Sequence, residues 1–516
     1  VADTDKPAAS FWAISTLKQN VIANLLGRGW SALMALAFVP FYLRYIGVEG
    51  YALVGFSLTL FAIASLLDLG IGTTLNRELA RRAANRAHAQ DARDLVRTLE
   101  AIYWLLALII GVTVFLAAPA IAHHWVKSPT LAPDTIEQAV RLMGLALAFQ
   151  WPMSLYSGGL LGLERQVKLN QIMAAMSTVR GTGAVLVLWL VAPTIEAFFV
   201  WQIVASILQT AWSAIALWRA LPAAGAPVFR AGLIMEIGGF AAGVTGISVF
   251  SLILTQLDKV VLSALLPLET FGFYTLAGVV ASAATIPVAP IFAAVFPRMS
   301  RLVAQRDEAR LADLYHVSSQ LISVAMLPFA TVIMFFAPEI LFAWTRNPAV
   351  AEHSALLVTL ITAGAIINAS LNIPYALQLA YGWVRLGFWM TLVNVVLLVP
   401  AIYYAAVHYG AAGAATVWVG MNACNLLVGI HLLHRRLLVK EKWRWAIRDF
   451  ALPLATALSI GAIARAFFPP GLGTAATVTA LAGLGVLIAL ACAMVSPAIR
   501  GYMFNAAGRL SAVLKS

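Results

Sequence analysis

Residues 51–82 read YALVGFSLTLFAIASLLDLGIGTTLNRELARR. The stretch 51–73 is apolar but for scattered hydroxyls and one acid, Asp68. It is then closed by Arg77, Arg81 and Arg82. At about 1.5 Å of rise per residue, such a run crosses the roughly 30 Å hydrocarbon core of a bilayer as one helix. The arginines behind it hold that end on the side where cationic loops stay. The same unit, an apolar run followed by a charged or neutral loop, recurs along the whole chain.

Fourteen such runs can be drawn through the 516 residues. They cover 19–45, 51–73, 99–121, 139–163, 170–191, 195–218, 237–265, 272–296, 317–337, 354–381, 386–407, 411–433, 447–468 and 474–495. The first is too long for a signal-peptide core and is expected to stay as a span. The composition agrees: 61% of residues are hydrophobic, 11% are charged, and the mean hydropathy is +0.87. A soluble domain carries about 25% charged residues, so a soluble enzyme is excluded. The expected fold class is all-α, a polytopic membrane protein of about 14 transmembrane helices.

Basic residues alternate between loops. Of 34 Lys and Arg, 26 fall on the side of the termini and of the loops after even-numbered runs, five fall on the opposite side (Arg44, Lys127, Arg141, Arg346 and Arg465), and Arg28, Arg180 and Lys259 lie deep within runs. The loops after the second, eighth and twelfth runs are the richest. The positive-inside rule therefore puts both termini in the cytoplasm. The net charge of +12 is explained by these helix ends, so no nucleic-acid partner is expected.

Weak self-similarity divides the chain further. "GVEGYALVGF" before the second run resembles "PLETFGFYTL" before the eighth, and "QVKLN" at the fifth resembles "WVRLG" at the eleventh. The expected organisation is an N-terminal lobe (1–230), a C-terminal lobe (231–440) and two extra spans (441–516). Repeats of this kind place a binding site at their interface in transporters.

Charge inside the bilayer is costly and marks function or pairing. Arg28 and Arg180 each lie about ten residues into a run, about 15 Å deep. Asn20, Asn24, Arg28 and Ser31 share one face of the first run. Ser248, Ser251, Thr255, Asp258, Lys259 and Ser263 make a similar stripe on the seventh. Arg28, Arg180, Lys259, Asn24 and Ser31 are the candidate ligands of an anionic substrate. Asp258 and Asp68 are read as structural or gating charges, Asp68 through an arginine nearby. Trp30 and Trp189 lie deep enough to stack on sugars, although packed or lipid-facing aromatics are commoner. His431 and His434 are read as interfacial, and Cys424 and Cys492 as packed side chains. No phosphate-loop, zinc-protease or cofactor motif occurs in the sequence, and the loops opposite the basic ones are short. An enzyme that polymerises or ligates glycans usually needs a larger loop there.

Two stretches carry a resemblance. "YIGVEGYALVGFSLTLFAIASLLDLGIGTTLNRELAR" (45–81) and "TQLDKVVLSALLPLETFGFYTLAG" (255–278) resemble the Wzx-type polysaccharide flippases, whose superfamily includes the MATE exporters and the MurJ flippase. The resemblance implies two six-helix lobes in a V around a central cavity, plus two C-terminal helices. It implies an undecaprenyl-diphosphate-linked oligosaccharide as cargo, turned from the cytoplasmic to the periplasmic leaflet. It also implies membrane lipids, a polysaccharide polymerase and chain-length proteins as partners, and a place in the bacterial inner membrane. An arginine on the first helix of similar flippases engages the diphosphate, a placement that Arg28 matches. The rival expectations are a cation-coupled exporter of small molecules, which should show intramembrane acids, and a scaffold for glycan-assembly enzymes.

Overall fold

The structure is a computed structural model that describes residues 27, 29–68, 70–82, 88–233 and 255–504. Arg28, Asn20, Asn24 and most of the seventh run lie outside the described residues. The described chain is a succession of helices. Those used below are α1 (Val39–Ala64), α2 (Ile71–Arg82), α3 (Ala89–Ala120), α4 (Pro133–Gln150), α5 (Met153–Gly162), α6 (Gln166–Leu190), α7 (Ile195–Ala220), α8 (Leu268–Ala283) and α9 (Val288–Ala304). They continue with α10 (Glu308–Phe335), α11 (Ala337–Thr345), α12 (Pro348–Ser370), α13 (Asn372–Ala380), α14 (Val384–Cys424), α15 (Leu452–Ala466) and α16 (Thr474–Val495).

Nine helices among the described residues are long and apolar enough to cross a membrane, or ten if the bent pair α8–α9 is one span. Two of them bridge the gap between consecutive expected runs. The segment Val384–His434 is 51 residues long, about 75 Å as a straight helix, far more than one bilayer. It breaks at Gly410, whose φ is 61°. α1 breaks likewise at Gly47, with φ 70°. Both glycines stand in the short gaps between expected runs, and the left-handed region is open to glycine at little steric cost. Elsewhere proline marks the breaks. Pro152 follows the end of α4, Pro287 caps α9 at a 49° bend, and Pro374 sits in the first turn of α13.

Residues 1–272 and 273–516 form two compact units. In the first, the core gathers Leu75, Leu79, Leu95, Leu99, Tyr103, Trp151 and Tyr156. α5 crosses α2 closely because Gly158 and Gly162, four apart, face the α2 backbone; a Cβ at Gly158 would stand 2.3 Å from Gly72 O. Small residues at that spacing let membrane helices touch backbone to backbone. The opposite character appears on α3, where Leu105, Leu108, Val112 and Leu116 are exposed on one face, as a lipid-facing stripe requires. At one end, the strap 221–230 closes over α3: Gln90 Nε2 donates to Ala226 O at 3.0 Å, and Val228 N (2.8 Å) and Arg230 Nε (3.0 Å) reach fully buried Asp94. At the other end, residues 255–265 are helical, and Trp125 Nε1 donates to Ser263 Oγ at 3.1 Å. This helix belongs to the first unit.

The second unit is built on α10. Tyr315, Met326 and Leu327 of α10 are buried with Met299, Ile373, Trp445 and Ile488. The two extra spans dock here through polar groups. His316 sits between Asp449 and Glu441, Gln320 Nε2 donates to Asp449 Oδ1 at 2.7 Å, and Ser323 Oγ donates to Asp449 O at 2.7 Å. His316 and Asp449 are both buried. His434 is buried here: its Nε2 lies 3.1 Å from the Tyr315 hydroxyl, and its Nδ1 lies 3.1 Å from Leu438 O.

Candidate functional site

Arg180 lies in the middle of α6, half-buried; α7 packs against α6, and α4 packs against α7. α7 offers it one polar face. Gln202, Ser206 and Gln209 follow at four and three residues, the spacing that aligns side chains on a helix. Arg180 Nη1 donates to Gln202 Oε1 at 2.7 Å and Gln150 Oε1 at 3.4 Å; Nη2 donates to Gln209 Oε1 at 3.0 Å and Ser206 Oγ at 3.4 Å. Gln202, Ser206 and Gln209 are all buried. Trp201 Nε1 donates to Arg180 O at 3.0 Å and closes the α6–α7 contact from the side.

These four partners are neutral. They solvate the guanidinium without cancelling its charge, so the site keeps a positive field in a medium where charge is weakly screened. The stripe Gln202, Ser206, Gln209 is visible in "WQIVASILQT" as three polar residues on one face of an apolar run. The sequence reading looked for charges and passed over it.

The other candidates fall as follows. The first run leads into α1 along α6: Trp30 Nε1 donates to Thr178 Oγ1 at 2.8 Å, and the Phe38 ring lies against Gly181. Ser31, next along, is half-buried. Trp30 is thus tied to α6, while Trp189 is exposed at the far end of that helix. Lys259 is half-buried and donates to Gln256 Oε1 at 3.3 Å; Asp258 beside it is half-buried. Asp68 accepts from the Tyr103 hydroxyl and from Ser154 Oγ, each at 2.5 Å, and from Gly72 N at 3.4 Å. These contacts tie α2, α3 and α5 together through hydroxyls, where an arginine partner was expected. The structure therefore gathers Trp30 and Arg180 along α6. Lys259 is on another helix, and Arg28 and Asn24 lie outside the described residues.

The sequence reading missed two buried acids, Glu49 in the gap between the first two runs and Glu100 at the start of the third. Glu49 accepts from Ser128 Oγ and Thr130 Oγ1, each at 2.5 Å. Glu100 Oε1 accepts from the Tyr156 hydroxyl at 2.7 Å and Trp218 Nε1 at 3.2 Å. No group of three or more His, Cys, Asp or Glu side chains is placed to hold a metal ion among the described residues.

Comparison with known proteins gives one picture. Residues 17–303 match the profile of the polysaccharide biosynthesis protein family. The chain is 23% identical over 403 residues to a Shigella flexneri protein described as a candidate O-antigen transporter, covering 78% of this chain and 93% of the other. It is 21% identical over 429 residues to the succinoglycan biosynthesis transport protein ExoT of Rhizobium meliloti, covering 80% and 79%. The fold is similar to that of the lipid II flippase MurJ, with a TM-score of 0.70, 10% identity and coverage of 92% of this chain and 98% of the other. It is also similar to a MATE multidrug transporter, with a TM-score of 0.63, 17% identity and coverage of 80% and 96%. With more than half of its length matched, this multi-pass membrane chain belongs to the polysaccharide biosynthesis protein family, and its fold resembles that of MurJ and of the MATE exporter.

Proposed function

We propose that the chain is a flippase for an undecaprenyl-diphosphate-linked oligosaccharide, an O-antigen or exopolysaccharide repeat unit. It moves this cargo from the cytoplasmic to the periplasmic leaflet of the bacterial inner membrane by alternating access, with both termini in the cytoplasm. The lobes are 1–230 and 231–440, and 441–516 adds two spans. It acts as a transporter and forms no covalent bond. The observation that carries the reading is Arg180, a mid-helix cation solvated by three glutamines and a serine with its charge uncancelled. Family membership and the two glycan-transport relatives support the cargo class.

The physics follows from the cargo. Diphosphate and sugars are too polar for hydrocarbon and need a wet, basic path, whereas the polyprenyl tail can stay in lipid. Arg28, Arg180 and Lys259 attract the diphosphate; Asn24 and Ser31 hydrogen-bond it; Asp68 and Asp258 act as structural or gating charges. Moving about two negative charges outward is favoured by an inside-negative potential, by about 2.3 kcal/mol per charge per 100 mV. The test is Arg28→Ala in a strain lacking the native gene. Surface glycan should be lost while the protein reaches the membrane in normal amount. Undiminished export by this variant refutes the assignment of Arg28 and favours a scaffold role.

A further inference from the structure

A second basic site lies on α7, away from Arg180. A cavity of about 360 Å³ is lined by Leu160 of α5, by Arg165 and Lys168 at the start of α6, and by Trp212, Ile215 and Arg219 near the end of α7. The chain turns sharply just before it, at Glu164, where φ is 56°. Arg165, Lys168 and Arg219 are all exposed, and none makes an ion pair with a carboxylate among the described residues. Lys168 Nζ stands 5.7 Å from the centroid of the Trp212 ring. No acid lines the cavity. Three cations sharing one small cavity repel one another, and an anion with several acceptor oxygens relieves that repulsion.

The surface leading away from this cavity names the anion's body. Val204, Leu208, Trp212 and Ile215 are exposed, and Arg219 continues their line at three- and four-residue spacing. They form one apolar stripe ending in a cation. From Ile215 to Val204 the stripe is about 16 Å long, close to the hydrocarbon depth of one leaflet. At 100° per residue it points roughly 130° away from the Gln202–Ser206–Gln209 face that holds Arg180. The site thus opens toward lipid.

We infer that this pocket binds the headgroup of an anionic phospholipid of the cytoplasmic leaflet, with its phosphate held by Arg165, Lys168 and Arg219 and an acyl chain lying along the α7 stripe. Basic pockets between helices at the cytoplasmic interface suit such headgroups, and a tryptophan at that level suits the lipid boundary. The lipid is a resident of the flippase, distinct from the cargo, and its site rests only on the orientation proposed above.

The test measures binding of fluorescent phosphatidylglycerol and phosphatidylcholine to the purified full chain in detergent, for wild type and for the triple variant R165Q/K168Q/R219Q. Wild type should prefer phosphatidylglycerol by ~10-fold to ~100-fold, and the triple variant should lose most of that preference with an unchanged melting temperature. If the triple variant does not fold, R219Q alone should lower the preference and R219K should restore it. R180Q should leave it intact, so failure of the flippase reading does not touch this result. Equal binding of the two lipids by wild type overturns the inference. So does displacement of phosphatidylglycerol by stoichiometric undecaprenyl diphosphate, which would make the pocket a cargo site.

Discussion

Replacing Arg180 separates the two things a buried cation can do. Arg180→Gln removes the charge but keeps an amide that can still donate to one or two of the four acceptors around it. Interhelical hydrogen bonds in membrane proteins average about 0.6 kcal/mol in double-mutant cycles, so losing all four costs about 2.4 kcal/mol. Bonds to a charged group in a soluble protein contribute about 1.5–3 kcal/mol each, which sets a higher bound. Glutamine should restore about half the bonds, giving a loss of about 1–3 kcal/mol, a drop of a few degrees in melting temperature. Arg180→Lys keeps the charge on a single nitrogen with three donors and loses the planar fork that reaches Gln202 and Gln209 together. The assays are surface glycan by immunoblot in a deletion strain and melting temperature of the purified protein. If the charge attracts the diphosphate, R180K should retain more export than R180Q even where R180K is the less stable of the two. Equal export by wild type and R180Q, with unaltered stability, refutes the reasoning. Export that tracks melting temperature across both variants makes Arg180 a cross-link between α4, α6 and α7 and nothing more.

Other outcomes are as specific. Asp449→Ala leaves buried His316 and Gln320 without their shared acceptor; breaking a buried pair this way costs about 3–5 kcal/mol, so the last two spans should become protease-sensitive in membranes while the first unit stays intact. Asp68→Asn keeps one acceptor for the Tyr103 and Ser154 hydroxyls and removes the charge that strengthens both bonds; the expected loss is about 1–2 kcal/mol in the thermal unfolding of the purified protein, and an unchanged melting temperature would refute a packing role. Gly410→Ala puts a Cβ into a residue with φ 61°, costing about 1–2 kcal/mol at the joint between two spans; reduced membrane yield without change in the spans' insertion, read by cysteine accessibility, is the expected result.

How much was legible in advance depends on the range of the interaction that decides each feature. Gly47 and Gly410 could be placed as breaks because a bilayer limits helix length, and that limit acts on consecutive residues. The charge of Arg180 was legible for the same reason, since a lone cation in an apolar run stands out. Its surroundings were not: Gln150, Gln202, Ser206 and Gln209 come from two other helices, and nothing local says that they converge on it. Asp68 shows the difference well. Its position at the end of a run announced a structural charge, but its partners are the Tyr103 and Ser154 hydroxyls from α3 and just past the α4–α5 break, not the nearby arginines. His316 and Asp449, far apart in sequence, gave no sign of meeting.

By itself, the sequence determined that this chain is helical and polytopic, because hydrocarbon thickness acts on each segment in turn. Only the tertiary structure decided which polar groups share a site. Hydrogen bonds are short and directional, so a cage of glutamines around Arg180, or a cavity lined by Arg165, Lys168 and Arg219, exists only once the helices have packed.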